Sequence, residues 1–288
     1  MDASTDLAGT RGEQWVIEPR RAGLTAAARE VWRYRRLLRF FASKSLQKLY
    51  RRTVLGWSWL LIRPLFPLVI NTLIFGGMLG VDSYNIPYFL FLNVGTAVWD
   101  LFASGASWGT RALDLNRGFL TRIYVPRLIL PVATMTPAYV NFVIQLGVIG
   151  AAVTYYAFRR GVVYVTPWHF GWALLAACMA VTLALAFSLW TSVPALVARD
   201  VRFTMQYVLS LWLFLTPVLY PINLPKKYEW ALALNPMAPI VETFKYGVLG
   251  IDTLDLKGLA ISAAIILAVL VSGLAFFRRA EVNAADRV

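Results

Sequence analysis

The chain has 288 residues, of which 59% are hydrophobic and 15% charged, with a mean hydropathy of +0.60 and a formal net charge of +13. Too little polar side chain is available to cover a soluble domain of this size, so the composition excludes one and calls for a bilayer. The single cysteine, Cys178, excludes an intrachain disulfide and leaves no basis for a cysteine metal centre.

Residues 1–24 read as a polar, mobile cytoplasmic tail. The first 56 residues hold no apolar core of secretory type, and no lipidation motif begins at Met1-Asp2. Over 25–56 the pattern turns helical. Val31, Tyr34, Leu38 and Phe41 recur at three- or four-residue spacing, while Arg29, Arg33, Arg36, Lys44, Lys48 and Arg51 hold another face. Such a helix suits the membrane interface, its apolar side in the acyl boundary and its cations among anionic inner-leaflet lipids. A solvated helix against a cytosolic partner is the other reading.

Pro64–Val81, Leu128–Phe158, Gly161–Ala198, Phe203–Pro225 and Gly258–Phe277 carry no Asp, Glu, Lys or Arg, and Ser83–Thr110 carries only Asp100. At ~1.5 Å per residue, about 20 apolar residues cross a hydrocarbon core of roughly 30 Å. Six spans follow, at about 59–81, 86–106, 128–157, 169–196, 203–221 and 258–278. The runs are continuous instead of alternating, so the expected fold class is an all-α integral membrane protein, not a barrel.

Three connections carry information. The segment Ser107–Arg127 interleaves Arg111, Asp114, Arg117, Arg122 and Arg127 with Leu113, Phe119, Leu120, Ile123 and Tyr124, the pattern of a short amphipathic cytosolic helix over 107–125. Arg199-Asp200-Val201-Arg202 forms a tight inner turn. In the segment 221–247, Trp230–Val241 is apolar for only 12 residues and is broken by Pro236 and Pro239, which suits a re-entrant or interfacial helical hairpin on the outer side. With residues 281–288 as an inner tail, inner segments hold 21 Lys and Arg against 6 outside, so both termini are expected in the cytoplasm of a multi-pass inner-membrane protein. The same distribution ties the basic excess to anionic lipid and not to nucleic acid.

Two charges fall inside spans, Arg63 and Asp100, and an ion pair between them would relieve the cost of burying either; snorkelling of Arg63 is the competing account. Trp57, Trp59 and Phe66 near the first span and Tyr207, Phe214 and Tyr220 along the fifth either bind sugar rings through their faces or anchor the helices at the interfaces. Arg51 and Arg52, where the interface helix meets the first span, suit a lipid-linked diphosphate or anionic lipid in general. His169 has no Cys or carboxylate spacing that would suggest a metal.

Tyr50-Arg51-Arg52-Thr53-Val54-Leu55-Gly56-Trp57-Ser58-Trp59 followed by Pro64, then Leu120, Ile123, Tyr124, Pro126, Arg127, Leu130, Pro131 and Asn141, resemble the membrane subunits of ABC exporters for cell-surface polysaccharides. These are ABC-2-type permeases that include O-antigen and teichoic acid permeases. Arg199-Asp200, Thr216-Pro217-Val218, Tyr220-Pro221, Asn235-Pro236-Met237 and Glu242 are similar to that family's C-terminal half, in the same order. Lys245 stands where arginine is more usual, which removes the bidentate fork.

The resemblance implies a homodimer that pairs with two copies of a separate ABC ATPase and conducts a lipid-linked, undecaprenyl-type glycan. It places ATPase docking on Arg111, Asp114, Arg117, Phe119, Arg122 and Tyr124, and an outer gate at Asn235, Pro236, Glu242 and Lys245. No catalytic residue is expected. The chain contains no Gly-Lys dipeptide and so no Walker loop, and ATP and Mg²⁺ then belong to the partner, with no cofactor or metal on this chain. A permease of the same superfamily for a small molecule, drug or lipid is the alternative. A metal-dependent glycosyltransferase would need acidic residues for a metal-bound nucleotide sugar on the cytosolic side, yet the one close Asp pair in a loop, Asp252 and Asp255, falls outside, and an ion-coupled carrier would need more than Asp100 at mid-depth.

Overall fold

The computed structural model describes residues 29, 31–50, 56–120, 125–161, 164, 167–221 and 234–285. Helices account for nearly all of them, and no strand occurs among the described residues. The first helix, α1 (Arg35–Tyr50), precedes a 3₁₀ turn at Gly56–Ser58 and then α2 (Trp59–Asn71), which runs on as a π-helix over Thr72–Met78. Pro64 and Pro67 lie inside α2 and each deletes a backbone donor, so the helix reaches the π-helical stretch with its ladder already interrupted. Then come α3 (Tyr88–Thr110), the one-turn helices α4 (Ala112–Leu115) and α5 (Arg117–Leu120), α6 (Ile129–Thr134) and α7 (Thr136–Arg160). The chain closes with α8 (Phe170–Val197), α9 (Asp200–Leu215), α10 (Met237–Leu249) and α11 (Leu256–Ala285).

Among the described residues, five stretches are long and apolar enough to cross a membrane: Leu61–Met78, Tyr88–Thr110, Ile129–Arg160, Phe170–Val197 and Leu256–Ala280. The expected sixth, 203–221, is helical only to Leu215. Thr216 precedes Pro217, whose ring drives it to φ −109° and ψ 136°, so α9 stops at 16 residues, about 24 Å at ~1.5 Å each. The expected inner helix over 107–125 also differs. Its first four residues belong to α3, and Asn116, in a turn, separates α4 from α5. The Asn116 Nδ2 donates to the Ala112 carbonyl at 2.9 Å, a side-chain bond that competes with the helical ladder there.

Packing centres on α3, which is buried along most of its length between α7, α8 and α10. Small residues let the axes approach. Ala173, Ala176, Ala180 and Ala184 recur along α8, and the last three of these have no exposed surface. A Cβ on Gly247 of α10 would lie 2.4 Å from the backbone nitrogen of Ala173, so a bare backbone is required where α10 crosses α8. Trp212 fastens α9 edge-on to Phe102 of α3 and Phe187 of α8, at ring separations of 5.2 and 5.5 Å. Helix α1 does not keep its apolar face for lipid: Phe41 is 1% exposed, packed with Ala112, Leu113, Val125, Leu130 and Phe277.

Gly247→Ala is expected to lower stability by about 1–3 kcal/mol, because the methyl meets backbone and not a movable side chain. Unfolding in mild detergent measures it, with Gly150→Ala, a glycine whose added Cβ meets nothing within 4 Å, as the comparison expected to unfold like the parent.

Candidate functional site: an outer clasp, an inner platform and two open aromatic faces

Where α9 ends, its last carbonyls lose their helical partners in a region the bilayer keeps dry. Side chains from three other places take them. Asn235 Nδ2 donates to the Leu215 carbonyl at 3.1 Å and to Thr216 Oγ1 at 3.0 Å. Its Oδ1 accepts from Trp212 Nε1 at 2.8 Å and from the Met237 amide at 3.0 Å, so all of the amide's polar atoms are used. Tyr88 donates to the Leu219 carbonyl and Tyr220 to the Phe214 carbonyl, both at 2.6 Å. Pro236 makes the turn that delivers Met237 as the first residue of α10.

Lys245 completes the clasp. It has no exposed surface, and its Nζ donates to the Pro217 carbonyl at 2.6 Å and to Glu242 Oε1 at 3.3 Å while lying 3.9 Å from the Phe91 ring centre. Gly95 makes the room: a Cβ there would sit 3.1 Å from both Lys245 Cε and the Val218 carbonyl. Glu242 Oε2 is buried and bonds to no described residue. Asn235, Pro236, Glu242 and Lys245, singled out as gate residues, thus converge on one unwound turn. Residues 222–233 of the expected hairpin lie outside the described residues.

At the opposite end of α3, α1 lies over α4 and α5. Lys44 Nζ donates to Asn116 Oδ1 at 3.1 Å and sits 3.6 Å from the Phe119 ring centre, and Lys48 donates to the Leu115 carbonyl at 2.8 Å. Burial, with Lys48 beside it, holds the Lys44 amine below its ordinary pKa. Phe119 meets Phe40 and Phe41 edge-on at 6.0 and 5.7 Å. Asp114 pairs with Arg202 of α9. Of the expected docking residues, Asp114 and Phe119 therefore face the protein's own helices, Arg111 is half-buried and Arg117 is exposed. Arg122 and Tyr124 lie outside the described residues.

Rings along α2 and α9 form the third feature. Phe66 and Tyr207 are 66% and 73% exposed, and Trp59 and Phe214 are exposed as well. On α9, Phe203, Tyr207, Leu211 and Phe214 fall on one face at spacings of three or four. Tyr220 instead turns back onto its own chain. Trp57 belongs to the 3₁₀ turn ahead of α2, and Arg51 and Arg52 lie outside the described residues.

The proposed Arg63–Asp100 pair is not made. Arg63 is exposed on α2, whereas Asp100 Oδ2 accepts from Gln145 Nε2 of α7 at 2.7 Å. A neutral amide on the neighbouring helix satisfies the carboxyl group without a second charge. His169, the one histidine, stacks on Tyr246 with ring centres 4.3 Å apart, and no cluster of three metal-binding side chains occurs among the described residues.

Comparison with known proteins places this helical arrangement. The family model described as ABC-2 type transporter matches residues 36–249. The chain belongs to the ABC-2 type transporter family. It is a multi-pass membrane subunit of an ABC transporter and not the ATPase itself, and its family implies an ATPase partner. Among similar proteins, the O-antigen export system permease protein RfbA of Myxococcus xanthus is 27% identical over 223 residues, covering 75% of this chain and 82% of that one. A protein of the same name from Klebsiella pneumoniae is 27% identical over 255 residues, 87% of this chain and 94% of its own length. A second one from Klebsiella pneumoniae is 26% identical over 210 residues.

Lys245→Met is expected to cost about 3–5 kcal/mol, since it strands Glu242 and the Pro217 carbonyl together, and adding Glu242→Gln should recover part of the loss. Thermal unfolding of the four combinations in detergent checks the coupling; additive losses would separate the two residues. Asp100→Leu is expected to cost about 1–3 kcal/mol by leaving the Gln145 amide unpaired, whereas Arg63→Gln should stay within about 0.5 kcal/mol. Equal costs would restore an Arg63–Asp100 link.

Proposed function

We propose that the chain is the channel-forming permease subunit of an exporter that moves a lipid-linked cell-surface polysaccharide from the cytoplasm across the inner membrane. The observation that carries this reading is the open aromatic face of α9, with a second exposed face on α2. Rings at this spacing offer a sliding surface, because the face of a sugar packs on an aromatic face while its hydroxyls stay in water. The relatives' names choose the passenger: each is an O-antigen export permease, aligned over most of this chain.

Two copies pair so that these faces enclose one passage, and each copy rests on one ATPase, which holds ATP and Mg²⁺. The platform of α4, α5 and α1 is the docking element, with Arg117 on its outward side. Both termini are cytoplasmic, as the lysine and arginine distribution requires. Helix α9 and the unwound turn to Pro221 together make the sixth span, and α10 is the returning limb of a re-entrant outer gate. Held by Lys245 and Asn235, α10 moves with the end of α9 and so couples the gate to the passage wall.

Arg51 and Arg52 sit between α1 and the turn that starts α2, where guanidinium groups receive the diphosphate of the carrier lipid. Arg51→Gln with Arg52→Gln is expected to lower export at least about tenfold, the effect of losing one charge-assisted contact of ~1.5–3 kcal/mol, and to leave ATPase assembly intact. Surface glycan and intracellular lipid-linked polymer are measured in a deletion strain carrying either version. Normal export at parental abundance would reject this role, and lost ATPase binding would move the arginines to the subunit interface.

A further inference from the structure

A groove between α3 and α9 has no part in the clasp, the platform or the aromatic faces. It is an open groove of ≈ 450 Å³, with Ser104, Ser107 and Trp108 on one wall and Gln206, Leu209 and Ser210 on the other. That volume falls in the roughly 300–1,000 Å³ range of small-ligand sites. Because α3 ends at Thr110 and α9 starts at Asp200, the groove lies within about three turns of these two ends, which the proposed topology sets toward the inner leaflet.

Most hydroxyls in the long helices spend themselves on their own backbone, as Ser210 of the groove does on the Gln206 carbonyl at 2.9 Å, while Ser192 and Thr243 are buried without a partner among the described residues. Thr96, Thr110, Ser188, Thr191 and Ser272 each donate to the carbonyl four residues back at 2.7–2.9 Å. The hydroxyls of Ser104 and Ser107, the Gln206 amide and the Trp108 indole N–H make no such bond, and none of them bonds to another described side chain. Gln206 is exposed and Ser104, Ser107 and Trp108 are half-buried, so the groove opens to the outside of the chain, and hydrocarbon against these four groups would be costly unless something polar meets them instead. No charged residue lines the groove, so neither a phosphate nor a cation finds its counter-charge there. A neutral guest rich in hydroxyls fits, its polar edge on Ser104, Ser107 and Gln206 and its apolar face on Trp108 or Leu209.

We propose that this groove is a sugar-binding subsite that holds one neutral unit of the glycan in the inner half of the membrane; this rests on the glycan-export reading above. The test uses the full chain with its ATPase in living cells, with a photo-crosslinking phenylalanine derivative at Trp108, and separately at Ser210 in case the first position disturbs folding. Val143, exposed on α7, serves as the position outside the groove. After irradiation the purified chain is oxidised with periodate and labelled with a hydrazide dye, which reads sugar diols whatever the glycan. Label at Trp108 or Ser210 is expected at about ten times the Val143 level. Ser104→Ala with Gln206→Ala is expected to cut export about tenfold, the loss of two neutral hydrogen bonds of ~0.5–1.5 kcal/mol, with ATPase assembly unchanged. Export that persists in a strain whose groove positions capture no sugar would overturn the subsite and leave the export reading standing. Loss of assembly in the double variant would overturn it in favour of a packing role. Surface glycan that survives deletion of the gene would overturn both.

Discussion

A helix that ends among buried residues leaves carbonyls which water cannot reach, and one end of this protein is organised around that debt. The Thr216-Pro217 pair stops α9, and the carbonyls of Phe214, Leu215, Pro217 and Leu219 must then find donors in protein. Tyr220, Asn235, Lys245 and Tyr88 supply them, and these four come from three separate parts of the chain. Satisfying the carbonyls therefore fixes where α10 starts, how α3 approaches it and why position 95 carries no side chain. The lysine is well suited to the task. Its ammonium delivers donors to a carbonyl and a carboxylate at once, and the nearby Phe91 ring accepts the remaining positive field.

The other end of α3 solves a different problem. There α1 holds the short helices α4 and α5 through largely side-chain contacts: a lysine on the buried Asn116, a second lysine on a carbonyl and three phenylalanines edge to edge. Between the two ends, alanines and glycines let α3, α8 and α10 approach closely, with little polar bonding between them.

Long apolar runs made the spans legible in sequence, because burying a helix in lipid demands an uninterrupted stretch. The clasp residues were legible only as motif members. What Asn235 and Lys245 bind is backbone, and backbone carbonyls have no signature in sequence. The shorter α9 could have been read from Thr216-Pro217 alone, since the ring of a proline constrains the residue before it. The Asp100 partner was hidden for another reason: charge counting looks for a cation, and Gln145 is neutral. The apolar face of α1 was visible, yet its direction was not, because lipid and the Ala112–Leu130 region of the same chain are equally apolar neighbours for Phe41.

Helix α9 shows how much one short element can be asked to do. Met205, Leu209 and Trp212 face the core, Gln206 and Ser210 face the groove with α3, and Phe203, Tyr207, Leu211 and Phe214 face outward. Sixteen residues at 3.6 per turn give about four and a half turns, enough for three such stripes but with few side chains in each. Its ends are tied by Arg202 on Asp114 and by the carbonyl clasp. Between them Met205 and Leu209 are buried, and Trp212 packs with Trp99, Phe102 and Phe187, so the ends fix where the helix sits and this aromatic cluster fixes which of its stripes faces the core.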